Sequence, residues 1–190
     1  MNANQLRELI IRPTLKKIGF SSDNAEELLL FTCAVESDFG YYIAQVGGSA
    51  LGIYQCEPDT HEDIWKNYIR FRPEIWNTMQ AWFQFHTMPA HNLLMIRIDY
   101  ATAVARIHYL RVKEALPNKG DIDGLWAYYK KYYNTESGKA EKEKSIAKYK
   151  RYVLGEDSTV DTVAAKPKAK VVKKKCLTTK QTKRITANQE

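Results

Sequence analysis

The sequence predicts a mainly α-helical fold with one small loop or β-hairpin region. Three observations carry this expectation. Apolar residues recur at helical spacing through most of residues 1–155. Pro58 and Pro73 each stand where proline's fixed φ and missing donor suit the first residue of a helix. Between two such runs, Gly40, Gly47, Gly48 and Gly52 are gathered in one stretch. A chain of 190 residues, 44% apolar and 12% aromatic, is long enough for one domain with a sizeable core.

Taken in order, Leu6, Leu9, Ile10, Leu15 and Ile18 form a stripe that Pro13 interrupts and Gly19 ends, which predicts one kinked helix or two short ones. Ser21, Ser22 and Asp23 offer N-caps for the next run, and Asp23 with Glu26 approximates a capping box. That run, Leu28 to Val35, is apolar nearly all round, so burial is expected. It carries Glu36 in its last turn. Residues 37–52 then read as a short hairpin or an irregular loop. Helices are expected over about 58–69 and 73–86, with Trp65, Tyr68, Trp76, Trp82, Phe83 and Phe85 suited to a core or to the wall of a groove. After Pro89, Leu93 to Leu116 is the longest helical pattern, closed by Pro117. Asp99 within it is a second carboxylate, a cap, or an ion-pair partner for Arg97 or Arg106. Asp121 or Asp123 caps a helix through Leu125, Trp126, Tyr128, Tyr129 and Tyr132 to about Asn134. A final charged helix is expected from Ser137 to Leu154, stopped by Gly155.

The net charge of +7 is uneven, because after Ala164 the chain reads AKPKAKVVKKK and TKR with one acid at its last residue. Residues 1–155 therefore form the expected domain, and 156–190 a basic tail that is disordered or ordered only on binding nucleic acid, an anionic polymer or a neighbouring protein. Basic character alone does not make this a nucleic-acid protein. Cys33, Cys56 and Cys176 are odd in number and lack CxxC spacing, which argues against zinc and against a disulfide scaffold. The histidines show no HExxH, so no metal is expected. GGSALG lacks the Lys and spacing of a phosphate loop, so no nucleotide cofactor is expected. The opening MNANQLRELIIRPTLKKIGF is too polar for a signal peptide, and no stretch approaches a membrane span.

Glu36 is the candidate for chemistry. It lies where the apolar run meets the glycine-rich loop, with Phe31, Val35 and Phe39 to screen it from water. Desolvation raises a carboxyl pKa, and the negative end of a helix adds to the effect. A carboxylic acid still protonated near neutrality is a general acid. Gln55 follows as a second fixed polar group before Pro58.

Three segments carry a resemblance. Glu36, Ser37 and Phe39 resemble an ESxF motif, Ser49 to Gln55 a GAxGLMQ motif, and Glu57, Pro58 and Thr60 a QxxPxT continuation, all in the order found in the lytic transglycosylases of the goose-lysozyme-like superfamily. Tyr54 stands where that family has Met, and Ser49 where it has Gly. Asp99 to Leu110 resembles the family helix behind the cleft, with Ala101 and Ala105 permitting close approach. Tyr133, Asn134 and Thr135 with Gly138 resemble the YNTxxGxG pattern of phage-borne members. Spacing alone leaves open whether YKKYYN faces the acid or is an amphipathic surface face, and Tyr132 replaces Tyr133 if the register slips by one.

The resemblance implies a lysozyme-like fold and cleavage of the β-1,4 bond between N-acetylmuramic acid and N-acetylglucosamine in peptidoglycan, giving a 1,6-anhydro product with no cofactor. It implies Glu36 as the catalytic residue, and Ser37, Gly52, Tyr54, Gln55, Tyr133 and Asn134 as substrate contacts. Ser37 is expected to orient the acid or the sugar. Its partners would be glycan strands and other proteins of a phage virion, from which it would act in the periplasm or on the cell wall during entry or lysis. Two alternatives remain at this point. One is hydrolysis on the same fold, with water activated by Asp38, Glu57 or Asp59. The other is a virion structural or ejection protein with little activity.

Overall fold

A computed structural model describes residues 1–134 and 138–156 of the chain. Beyond Glu156 the expected tail, with Cys176, lies outside the described residues, as does the Thr135 position of the YNT segment. The fold is mainly helical. Among the described residues there is no strand, and residues 38–57 form an irregular loop crossed by isolated antiparallel bridges, Ala44 with Leu51 and Leu51 with Cys56. None of the described helices is long and apolar enough to cross a membrane.

The chain opens with α1 (Ala3–Gln5), a π-helical stretch Leu6–Ile11, and α2 (Arg12–Lys17), one contiguous helical run through Pro13, which is the single-helix form of the two expected. The reason is local. In the widened stretch the Arg12 N–H reaches back to the Arg7 carbonyl, five residues away, and the ladder is already shifted where Pro13 has no donor to offer. Leu6, Ile11, Leu15 and Ile18 are buried as the stripe predicts.

The central helix is α3 (Asp23–Ser37), buried almost end to end. Ser22 caps it, its Oγ accepting the Ala25 N–H at 3.1 Å. The capping box expected from Asp23 and Glu26 does not form, because Glu26 turns instead to Arg12, which donates to both of its carboxylate oxygens at 2.8 and 2.7 Å. Glu27 pairs with Arg7 at 2.5 Å and accepts from the Tyr149 hydroxyl. Two buried acids thus tie α3 to the N-terminal helix, an arrangement that helical spacing did not reveal.

Pro58 and Pro73 do begin helices, α4 (Pro58–Asn67) and α5 (Pro73–Phe83), joined by a 3₁₀ turn Ile69–Phe71. The long helix expected over Leu93 to Leu116 is broken into α6 (Leu93–Ile96) and α7 (Ile98–Leu110). Arg97 between them is extended, and Asp99 takes both the Arg97 guanidinium (3.0 and 2.7 Å) and the Tyr100 N–H (2.9 Å). Asp99 is therefore a local clasp. Asp121 caps α8 (Ile122–Tyr129), which continues into a π-helical turn Lys130–Asn134. The last helix begins at Lys142, later than expected, as α9 (Lys142–Tyr149), and runs through a π-helical turn Lys150–Leu154 to Gly155 in the left-handed conformation.

Helices α7, α8 and α9 all pack on α3. Phe31 on α3 meets the rings of Tyr129 and Tyr149 at 5.6 and 5.3 Å, and Thr32 receives the Tyr109 hydroxyl at 2.8 Å. The consequence is that the C-terminal turn of α3, with Glu36, is held from three sides.

Candidate active site

Glu36 is half-buried at the end of α3, where Asp38 adopts a left-handed conformation (φ 49°) and turns the chain into the loop. The Tyr129 hydroxyl, brought in by α8, donates to Glu36 Oε1 at 2.6 Å. From α9, the Lys148 ammonium reaches the Val35 carbonyl at 3.0 Å and Asp38 Oδ1 at 2.8 Å. A cation thereby sits on the last carbonyls of α3, opposing the negative end of that helix. Burial nevertheless wins. It pushes the Glu36 carboxyl up to about 7, while the Tyr129 hydrogen bond and the Lys148 charge pull it down and the Glu57 charge pushes it further up. The acid is protonated in a useful fraction of molecules at neutral pH.

Beside Glu36 opens a cavity of about 290 Å³, with Gln55, Glu57, His108, Tyr133 and Asn134 in its walls. Its size is that of a small ligand cleft. Several elements of different sequence position meet there. Gln55 has φ 45°, and its amide donates to the Gly52 carbonyl at 2.8 Å, which aims the side chain into the cavity wall. Tyr133 donates to the Tyr54 carbonyl at 2.7 Å and stacks near Tyr129, rings 6.1 Å apart. Asn134 Oδ1 is held by Lys130 at 2.8 Å. The π-helical turn Lys130–Asn134 changes the pitch just where Tyr133 and Asn134 enter the wall, a frequent use of such turns.

Three of the expected contacts are placed differently. Ser37 is fully buried, its hydroxyl 2.7 Å from the Ile53 carbonyl and 3.0 Å from the Cys33 carbonyl while accepting the Gly40 N–H at 2.8 Å. It fastens the loop to α3 and orients neither the acid nor a sugar. Tyr54 is buried, and because Thr102 Oγ1 already donates to the Ile98 carbonyl, the 3.2 Å contact is Tyr54 donating to Thr102. What it presents to the site is its carbonyl. Gly52 is buried with φ 79°, and a Cβ there would lie 2.5 Å from the Leu94 carbonyl oxygen. Glycine is required by that close approach, and Gly52 serves the site by seating Gln55. The expectation that Tyr133 faces the acid is met in part, since Tyr133 lines the same cavity while the hydroxyl on Glu36 belongs to Tyr129, one turn earlier.

Of the three acids considered for a water-activating role, Glu57 alone lies in the cavity wall. Its Oε2 accepts from Ser49 Oγ at 2.5 Å. Asp38 is committed to Lys148. His108 is a wall residue that the sequence did not suggest. Its Nε2 lies 2.9 Å from the Tyr132 carbonyl and so carries the proton, its ring meets Tyr133 at 5.0 Å, and burial lowers its pKa and keeps it neutral. Cys33 and Cys56 are free and buried, Cys56 in the cavity wall, and burial pushes each thiol up to about 12, which disfavours the thiolate form of both. His61 is a core residue. The Tyr100 hydroxyl accepts from Trp65 and lies within hydrogen-bond distance, 2.5 Å, of His61 Nε2, and burial lowers that imidazole to about 4.

Compared with known proteins, the chain matches no family model, no curated protein and no solved structure. What the site can do follows from its residues: two carboxyls, Glu36 and Glu57, at a polar cavity, of which burial raises Glu36 into the neutral range, flanked by fixed amides and hydroxyls.

Proposed function

We propose that the protein is a lytic transglycosylase with a lysozyme-like fold, acting on peptidoglycan. The observation that carries this reading is Glu36, a carboxyl pushed up to about 7 by burial and held by Tyr129 at the wall of the cavity. Protonated Glu36 gives its proton to the glycosidic oxygen as the bond to the anomeric carbon of N-acetylmuramic acid breaks. The sugar's acetamido group supports that carbon. The carboxylate left behind then takes the proton of the sugar's 6-hydroxyl as its oxygen closes on the anomeric carbon, which yields the 1,6-anhydro end and restores the acid. Gln55 and Asn134 offer amides to hold the sugar, and no water enters the balance.

Carriage in a phage particle, with action on the host wall during entry or lysis, accords with the phage-type YN segment. Hydrolysis is a second reading, favoured by one observation: Glu57 stands in the same wall as Glu36 and could activate a water there. Product mass separates them. Peptidoglycan digested by the full chain should yield ends lighter by one water than hydrolysed ends, and hydrolysed ends alone would overturn transglycosylation.

The acid's environment predicts a pH effect. Because the protonated form is the one that acts first, turnover should fall as pH rises through about 7. Tyr129→Phe removes a hydrogen bond to the charged form, so the Glu36 pKa rises and the high-pH limb should move to higher pH. A pH–rate profile of the two proteins checks this, and a limb that stays in place or moves down would contradict the assigned role of Tyr129.

A further inference from the structure

A second hollow, of about 720 Å³, lies between the loop after α3 and the π-helical turn Lys150–Leu154, walled by Tyr41, Tyr42, Arg151 and Tyr152. We propose that it binds the carboxylate-bearing stem peptide attached to the glycan strand, with Arg151 as the carboxylate anchor. This rests on the reading of the substrate as peptidoglycan.

The loop that forms it is rigid and unusual. Asp38, Phe39 and Gly40 are consecutively left-handed, with φ 49°, 58° and 80°. A non-glycine residue in that region costs roughly 1 kcal/mol, and such strain persists where the surroundings enforce it. Here they do: Ser37 Oγ accepts the Gly40 N–H at 2.8 Å, and the Tyr42 N–H returns to the Ser37 carbonyl at 3.0 Å. Phe39 is buried and stacks on Tyr152 at 5.9 Å, locking the loop to the last helical turn. The outcome is that Tyr41 stands 78% exposed and Tyr42 41% exposed on a fixed support, in edge contact at 4.8 Å. Exposed rings on a fixed backbone lose little entropy when they are covered.

Charge decides the kind of ligand. Arg151 lies over the Tyr152 ring at 5.4 Å, and no carboxylate among the described residues pairs with it. The one acid in the hollow, Asp38, is matched by Lys148 at 2.8 Å. A guanidinium with no carboxylate partner among the described residues, beside three tyrosines, suits a ligand that carries several carboxylates along an amide backbone, as a stem peptide does, whereas the glycan offers a single lactyl carboxylate and only where its peptide has been removed. Position supports the same conclusion. The loop that carries Tyr42 also walls the first cavity, since the Tyr42 carbonyl accepts Gln55 Nε2 at 3.4 Å. The two hollows therefore share one loop.

The test uses the full chain and the free tetrapeptide L-alanyl-γ-D-glutamyl-meso-diaminopimelyl-D-alanine, with binding followed by NMR of the tyrosine rings. Saturable binding is expected, weakened about tenfold or more by Arg151→Ala, as loss of a charge-assisted hydrogen bond predicts, and partly restored in Arg151→Lys. Tyr41→Ala should weaken it as well, and both side chains are exposed enough that folding is not at risk. No binding at millimolar peptide, or binding that Arg151→Ala leaves unchanged, overturns the proposal. Because no bond is cleaved in this measurement, it is separate from wall digestion: peptide binding without digestion sinks the transglycosylase reading alone, and digestion without peptide binding sinks the subsite alone.

Discussion

Glu36→Gln should abolish wall clearing and at the same time stabilise the folded protein at alkaline pH. Loss of the proton donor is expected to cost about 10³-fold or more in turnover, the upper part of the range for a general acid whose conjugate base is also needed. The amide keeps the size of the carboxyl and still accepts from Tyr129, so the cavity should persist. Stability moves the other way. Burial raises the Glu36 carboxyl to about 7 from an ordinary value of 4.5. The stability linked to that group is therefore complete below pH 4 or so and is lost as pH rises through 7. At pH 8 the wild type carries a buried carboxylate that the variant lacks, a difference of about 3 kcal/mol between the two proteins relative to pH 4. Urea unfolding at both pH values, beside zymography on purified wall, measures the two effects. A variant that still clears wall would remove Glu36 from the mechanism. An inactive variant with no gain at pH 8 would mean that the acid ionises freely, and its inactivity would need another cause. A virion protein with a purely structural role would show no clearing even as wild type.

Arg7→Met should lower stability by about 3 kcal/mol, the cost of stranding one member of a buried pair. Glu27 is 4% exposed and would retain only the Tyr149 hydroxyl. For a domain of this size that corresponds to a fall in Tm of about 10 °C. Adding Glu27→Gln to the same chain should recover most of the loss, because the amide accepts from Tyr149 and carries no charge. Thermal unfolding of the single and double variants checks the account. If the double variant is no more stable than Arg7→Met, the loss comes from the packing of the arginine stem and not from the unpaired charge. Activity should follow stability only, since Arg7 and Glu27 lie at the other end of α3 from Glu36.

The helical pattern was legible wherever a local rule acts alone. Pro58, Pro73, Asp121 and Gly155 mark helix boundaries through their own backbone chemistry, and each boundary stands at or beside the residue that predicts it. Leu93 to Leu116 misled because period cannot show a competing hydrogen bond. Asp99 draws Arg97 and the Tyr100 N–H to itself, and the helix breaks there. At Pro13 the sequence left one helix or two open, and a π-helical stretch upstream that accommodates the missing donor decides for one. In the site, Gln55, Tyr133 and Asn134 reach the cavity that Glu36 shares. The four-residue step from Tyr129 to Tyr133 was the available hint that both tyrosines share a helix face. Ser37 was misassigned because a buried serine and a ligand-facing one look alike in a string of letters.

By itself, the sequence determined that the chain is mainly helical, where several helices begin, where the glycine-rich loop falls, and that Glu36 ends a buried helix. These follow from propensity, capping and apolar period, all of which act within a few residues. The tertiary structure alone decided that Tyr129, Lys148 and Glu57 surround that carboxyl, that His108 joins the wall, and that Arg151 meets the tyrosines of the loop. Those neighbours arrive from the loop before α4, from α7, α8 and α9 and from the π-helical turn after α9, and Lys148 lies 113 residues from the Val35 carbonyl that it touches. A carboxyl's proton affinity depends on the charges and solvent within a few ångströms, and distance along the chain says nothing about which groups those will be.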